Sequence, residues 1–179
     1  AILLYLLLRT GKRGQQIYSA SGDRAQASLI FRAAAAMVRN DPTLSEVCLV
    51  YDGYKRIVCE RLDSFYEALS SDAPRKHGLG PSAVLFDEVH VLPNRDLHDV
   101  LTTGFGARRD PLTLYITTAG WDQTSLCYEL WKYAEHIAED PSRDPAFLPV
   151  LYQAGPDDDW AAEATWRKAM PALGDFCSL

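Results

Sequence analysis

Residues 83–90 read Ala83-Val84-Leu85-Phe86-Asp87-Glu88-Val89-His90, and they constrain the fold more than any other stretch of the chain. Four apolar residues follow the turn chemistry of Gly80, Pro81 and Ser82, and two acids arrive side by side at their end. A short apolar run bounded by turn residues predicts a strand buried on both faces of a parallel sheet. Open α/β sheets bind ligands at the carboxyl ends of their strands, where Asp87 and Glu88 fall. Successive strand residues point to opposite sides, so the two carboxylates are free to take separate tasks. An Asp so placed can hold Mg²⁺ beside a nucleotide phosphate, and the adjacent Glu can orient and deprotonate an attacking water. A strand that merely ends in two solvated acids is the competing reading.

Composition narrows the setting. With 179 residues, 47% of them hydrophobic, the chain has enough apolar material for one ordinary globular domain with a substantial core. A net charge of −6 argues against holding nucleic acid by a broad basic surface, although a few cations suffice for transient contact with a DNA backbone. Cys48, Cys59, Cys127 and Cys177 are widely spaced with no C-x-x-C pair, which argues against zinc and against a disulfide framework. A reducing cytoplasm is the expected compartment. Residues 1–8 are apolar throughout but far short of a membrane span. No basic region precedes them and no cleavage-like site follows, so a signal peptide fits poorly. Without an initiator Met, and opening inside what reads as a buried helix, the chain is expected to be a fragment.

Residues 1–8 are hydrophobic all round, as a helix in a covered interior is, with Gly11 and the cations Arg9, Lys12 and Arg13 at its end. Residues 15–21 read as a strand that Gly22 breaks. Asp23 and Gln26 resemble a capping box, and Leu29, Ile30, Ala33, Ala34, Met37 and Val38 recur at helical spacing to about Asn40. Stretches 46–51 and 55–60 flank Asp52-Gly53 as a hairpin, and 65–69 reads as a further short strand. Residues 70–80 form a polar loop carrying Arg75, Lys76 and His77. Residues 95–105 read as an amphipathic helix and 106–111 as a basic turn. The second core strand is 112–118, β-branched and apolar, closed by Ala119-Gly120. Small residues there allow close approach to a phosphate or a switchable loop. A long helix over 123–139, a strand over 147–153 and a short closing helix holding Trp160 and Trp166 complete the chain. Asp157, Asp158 and Asp159 are adjacent acids in a turn, poorly placed to converge on one ion. Strands alternating with helices predict an α/β layered fold with a mainly parallel sheet.

An ordered set of segments carries a family resemblance: 19–28, 78–82 running into the acidic pair, 101–109, Pro111 through Ile116-Thr117-Thr118-Ala119-Gly120, and Asp158-Asp159-Trp160 through Trp166 to Pro171. Together they resemble the ATPase domain of the large terminase subunit of tailed bacteriophages, the motor that packages DNA into empty capsids. That resemblance implies a P-loop NTPase-type core with a mainly parallel central sheet flanked by helices, truncated at its N-terminus. Residues 1–153 would be a partial ATPase motor core, and 154–179 a linker and closing helix leading toward a nuclease domain. It implies ATP and Mg²⁺ as cofactors, with Asp87 the Mg²⁺ ligand and Glu88 the catalytic carboxylate of a Walker B segment. Thr117, Thr118, Ala119 and Gly120 would be the coupling motif, sensing the γ-phosphate and relaying hydrolysis to movement. Arg75, with Lys76 behind it, is the candidate arginine finger for a neighbouring subunit. The implied partners are double-stranded DNA held by its backbone, the small terminase subunit, a portal protein and further copies in a ring, in the host cytoplasm and away from membranes.

The sequence also departs from the family pattern. The phosphate-binding Gly-rich loop with its Lys and Ser/Thr would sit just before residues 1–8, and the nuclease domain would follow residue 179. Lacking that cradle, the fragment is expected to bind Mg-ATP very weakly and to hydrolyse none. Two other readings stay open at this point. Asp87-Glu88-Val89-His90 spells a D-E-x-H box, as a helicase motor would carry. A non-catalytic prophage remnant or assembly module would equally lack the phosphate loop.

Overall fold

The run at 83–87 is a strand with a parallel neighbour on each side, as its unbroken apolar character requires. In the computed structural model, which describes residues 1–71 and 78–178, six strands form one sheet in the order β2-β3-β4-β1-β5-β6. They are β1 (Gln16–Ser21), β2 (Leu49–Tyr51), β3 (Arg56–Cys59), β4 (Ser64–Ser70), β5 (Ala83–Asp87) and β6 (Leu112–Ile116). Strands β4, β1, β5 and β6 run parallel, while β2 and β3 add an antiparallel edge. Ala83, Val84, Leu85 and Phe86 are all buried. The expected α/β architecture with a mainly parallel sheet flanked by helices is the architecture observed. By contact the chain divides into two compact units, Ala1–Tyr128 and Glu129–Leu179; the sheet belongs to the first.

Six helices accompany the strands: α1 (Ile2–Leu8), α2 (Arg24–Asn40), α3 (Pro42–Val47), α4 (Asp96–Thr103), α5 (Leu126–Glu139) and α6 (Glu163–Ala169). Helix α2 begins where the sequence places it, because Asp23 Oδ1 accepts from the N–H groups of Ala25 at 2.6 Å and Gln26 at 2.9 Å. Its buried stripe is Ala27, Phe31, Ala34, Ala35 and Val38, while Leu29 and Met37 face solvent. The helix is therefore rotated from the expected face: the alanines let it lie close to the sheet, and Phe31 supplies the bulk. Helix α1 is likewise not covered all round; it buries Leu3, Leu4 and Leu7 and exposes Ile2 and Tyr5. None of the helices among the described residues is long and apolar enough to cross a membrane.

Two local readings need correction. The strand expected from residue 46 starts at Leu49, because Pro42–Val47 is helix α3. Asp41 caps it through Oδ1, which accepts from Thr43 N–H at 2.8 Å and Leu44 N–H at 3.1 Å, and Pro42 occupies the first turn, where a missing N–H costs nothing. Residues 147–153, expected as a strand, pair with no strand among the described residues. Pro149 has no N–H to give a ladder. Side chains tie the segment to α5 instead: Trp131 Nε1 donates to Gln153 Oε1 at 2.8 Å, and Gln153 Nε2 donates to Glu135 Oε1 at 3.1 Å.

The lead into β5 is built on one close approach. Gly104 opens the 3₁₀ turn Gly104–Ala107, and a Cβ there would lie 2.5 Å from Leu79 O and 2.7 Å from Pro81 Cδ. Both atoms belong to backbone or to a fixed ring, so neither can yield cheaply. Gly104→Ala is expected to destabilise the protein by about 1–3 kcal/mol, the usual cost of overpacking, read as a lowered urea midpoint. An unchanged midpoint would show that the 79–81 segment moves freely.

Candidate active site

The carboxyl ends of β1, β4, β5 and β6 lie along one edge of the sheet, and the acidic pair sits there. Asp87 is the last residue of β5, in register with Ile116 of β6. Glu88 N–H donates to Ile116 O at 2.8 Å, which extends the ladder by one bond. The chain then leaves the sheet sharply: Glu88 has φ 53° and ψ 56°. A left-handed Glu costs on the order of 1–2 kcal/mol. Lys55 and Asp63 also have positive φ, but each closes a short 3₁₀ turn between antiparallel strands. At Glu88 the same conformation stands at a strand end beside a candidate site, where strain of this kind tends to be functional.

Electrostatics distinguish the two acids. Burial, and then the charge of neighbouring Glu88, push the Asp87 carboxyl above the ordinary carboxylate range, with the Glu88 amide pulling partly back. A carboxylate disfavoured by burial beside a like charge is relieved by a cation. Glu88 Oε2 is buried and accepts no hydrogen bond among the described residues. It lies 3.1 Å from His90 Nδ1, close enough for an ion pair but without hydrogen-bond alignment. Among the described residues, Ser21 Oγ, at the end of neighbouring β1, is the other buried polar side-chain atom left without a hydrogen-bond partner. Orphaned oxygens at the ends of adjacent strands fit a site completed by a bound group. No three potential metal-ligating side chains gather among the described residues. A cation here would take one or two protein oxygens and complete its shell with water and phosphate, as Mg²⁺ does.

Residues 117–120 lie just past β6, outside the strand expected to reach 118. His90, in the 3₁₀ turn Val89–Val91, joins them to Glu88. Its N–H donates to Thr117 Oγ1 at 3.2 Å, and its Nδ1 lies 3.1 Å from Thr117 Oγ1 and 3.4 Å from Thr118 Oγ1. A Cβ on Gly120 would come 3.2 Å from His90 Cβ, so the loop packs closely on the imidazole residue. On the other side, a Cβ on Gly22 would stand 2.7 Å from Val91 O, which brings the break after β1 against the same turn. The structure thus brings Asp87, Glu88, Thr117, Thr118 and Gly120 into one neighbourhood, with Ala119 exposed between them. Arg75 and Lys76 lie outside the described residues. Asp158 is engaged elsewhere, taking Lys168 Nζ at 2.7 Å. In the sequence His90 is marked only as the last residue of the D-E-x-H spelling, and nothing there links it to Thr117 and Thr118.

Residues 1–136 match the family model for the terminase large subunit, ATPase domain. The chain is 30% identical over 181 aligned positions to the large terminase subunit of Enterobacteria phage HK97, an alignment covering 99% of this chain and 34% of that protein. It is also 30% identical over 97 positions to protein YmfN of Escherichia coli K12, covering 54% of this chain and 21% of that protein. The crystal structure of the HK97 large terminase matches with a TM-score of 0.86 at 30% identity, across 99% of this chain and 36% of that one. The large-terminase ATPase domain of Thermus phage P74-26 shares the fold at a TM-score of 0.54 and 18% identity, covering 70% of this chain and 55% of that one. The chain spans about a third or less of the length of the curated relatives it matches. It belongs to the terminase large-subunit family and carries that family's ATPase domain over residues 1–136.

Proposed function

We propose that this chain is part of an ATP-hydrolysing motor that moves double-stranded DNA into a viral capsid. The observation that carries the reading is the strained strand end: Glu88 is held in a left-handed conformation immediately after Asp87, with one carboxylate oxygen buried and without a hydrogen-bond partner among the described residues. Asp87 would hold Mg²⁺, whose charge, when bound, offsets the negative charge on the phosphates. Glu88 would orient the attacking water and take its proton. Thr117, Thr118, Ala119 and Gly120 would respond to the γ-phosphate and pass its loss to the rest of the motor. Arg75 would reach a neighbouring copy in a ring. The partners proposed with this reading are a small terminase subunit and a portal protein. DNA would be held by its backbone, independent of sequence and weakened by salt. A nuclease activity is proposed for the complete gene product that carries these residues.

The sequence contains no G-x-x-x-x-G-K-[ST] run, so residues 1–179 by themselves are proposed to bind Mg-ATP very weakly. The test compares phosphate release from ATP by the complete gene product and by residues 1–179 alone, with Mg²⁺ and with chelator. Turnover by the former in Mg²⁺ only, and none by the latter, is the expected result. A complete gene product that releases no phosphate would overturn the motor reading, and robust turnover by residues 1–179 would overturn the fragment's inactivity.

A further inference from the structure

His90 sits between the acid proposed to activate water and the loop proposed to respond to phosphate. Hydrogen accounting at this junction is restrictive. The Thr117 hydroxyl has one proton, and the geometry directs it to Thr118 O at 2.9 Å. Thr117 Oγ1 already accepts from His90 N–H at 3.2 Å. The contact between Thr117 Oγ1 and His90 Nδ1 at 3.1 Å therefore needs its hydrogen on Nδ1. That hydrogen faces three acceptors: Glu88 Oε2 at 3.1 Å, Thr117 Oγ1 at 3.1 Å and Thr118 Oγ1 at 3.4 Å. One hydrogen makes one well-aligned bond. Alignment is with the threonine side here, which leaves Glu88 Oε2 unbonded.

The loop that competes for this hydrogen is held on both sides. Gly120 packs against His90, where a Cβ would come within 3.2 Å of His90 Cβ. Cys127 Sγ, in the first turn of α5, lies 3.8 Å from Thr117 Oγ1 and 3.9 Å from Thr118 O. A small displacement of 117–120 away from the turn Val89–Val91 would release Nδ1–H to the carboxylate. We propose that His90 is a positioning residue: its Nδ1–H passes between the Thr117–Thr118 hydroxyls and the Glu88 carboxylate, so the place of the loop sets the orientation of the acid. This rests on the reading of Glu88 as the carboxylate that activates water.

The test is steady-state ATP hydrolysis by variants of the complete gene product, each with its melting temperature measured. His90→Ala is expected to lower kcat by about 10–100-fold, the range for outer partners that orient a reacting group, with little change in KM for ATP. Asn places an amide N–H near the position of Nδ1, whereas Gln reaches toward that of Nε2. His90→Asn is therefore expected to recover most of kcat and His90→Gln little of it, a comparison that holds even if the Ala variant folds poorly. Combining His90→Ala with Thr117→Val should lower kcat no further than the more damaging single change. A His90→Ala kcat within about two-fold of wild type, Asn and Gln equally active, or fully additive losses would each overturn the role of His90. Glu88→Gln separates the two readings. If it retains turnover, the assignment of Glu88 falls and the role of His90 with it; if it is inactive while His90→Ala is not, only the role of His90 falls.

Discussion

In the complete gene product, Glu88→Gln is expected to lower kcat for ATP hydrolysis by about 10²–10⁴-fold, the contribution of a positioned general base. The substitution keeps the length and shape of the side chain and removes only its charge and basicity. Backbone strain is unchanged, because Gln carries the same Cβ into φ 53° and is no better suited to it. The bond from residue 88 N–H to Ile116 O, at 2.8 Å, is likewise kept. An effect confined to the transition state appears in kcat and kcat/KM together, with ATP affinity nearly constant. Asp87 supplies an internal contrast. Removing the neighbouring negative charge takes away one of the causes that raise its carboxyl, so Mg-ATP binding should hold or tighten slightly in Glu88→Gln. Single-turnover hydrolysis combined with a nucleotide-binding titration checks both statements. Turnover within about three-fold of wild type would remove Glu88 from the chemistry.

How much of this was legible in the sequence depended on where the determining contacts lie. Strand β5 was readable because parallel neighbours on both sides bury Ala83–Phe86 and leave no polar alternation to confuse it. The Asp23 cap was readable because its partners are two and three residues away. Helix α3 shows no periodicity in the sequence although Asp41-Pro42 announces it: six residues are too few to display a stripe, and none is buried. Residues 147–153 show the opposite failure. Leu148, Val150 and Tyr152 alternate as a strand would, yet they are 85%, 62% and 59% exposed. Period two fixes which way side chains point, not whether a ladder partner exists.

The candidate site divides along the same line. Asp87 and Glu88 could be placed from the end of one apolar run. The link through His90 could not, because Thr117 stands 27 residues away and the register of β5 on β6 brings them together. Nothing in the local sequence marks Glu88 as left-handed, since Gly and Asn are the residues that favour that region. The conformation is imposed by the ladder bond to Ile116 on one side and the turn Val89–Val91 on the other.

Stability should fall steeply as pH rises from about 9 to about 12, because three buried acidic groups resist ionisation in the first unit. Burial pushes Tyr18 from 10.0 to about 12, helped by the Glu67 charge and opposed by Arg56 and Arg108. Burial also raises Tyr66 to about 12 against the hydrogen bond with Ser19, and raises Cys48 from 9.0 to about 11, with Cys59 adding to it. All three side chains are enclosed, at 1%, 0% and 4% exposure. A raised native pKa means the folded state holds the proton more tightly. The contribution is complete below the unfolded values near 9 and 10 and is lost as pH climbs through the native ones. Two pH units correspond to roughly 2–3 kcal/mol for each group. Exposed ion pairs such as Lys12–Asp110 contribute only about 0–1 kcal/mol each. Urea midpoints taken from pH 8 to 11.5 measure the slope, and Tyr66→Phe isolates one group. That variant leaves Ser19 Oγ without the hydroxyl 2.8 Å away, a cost of about 1–3 kcal/mol that does not vary with pH. The level of its stability curve should therefore drop while its slope above pH 10 becomes shallower. An unchanged slope would mean that Tyr66 ionises in the folded state as readily as in the unfolded chain.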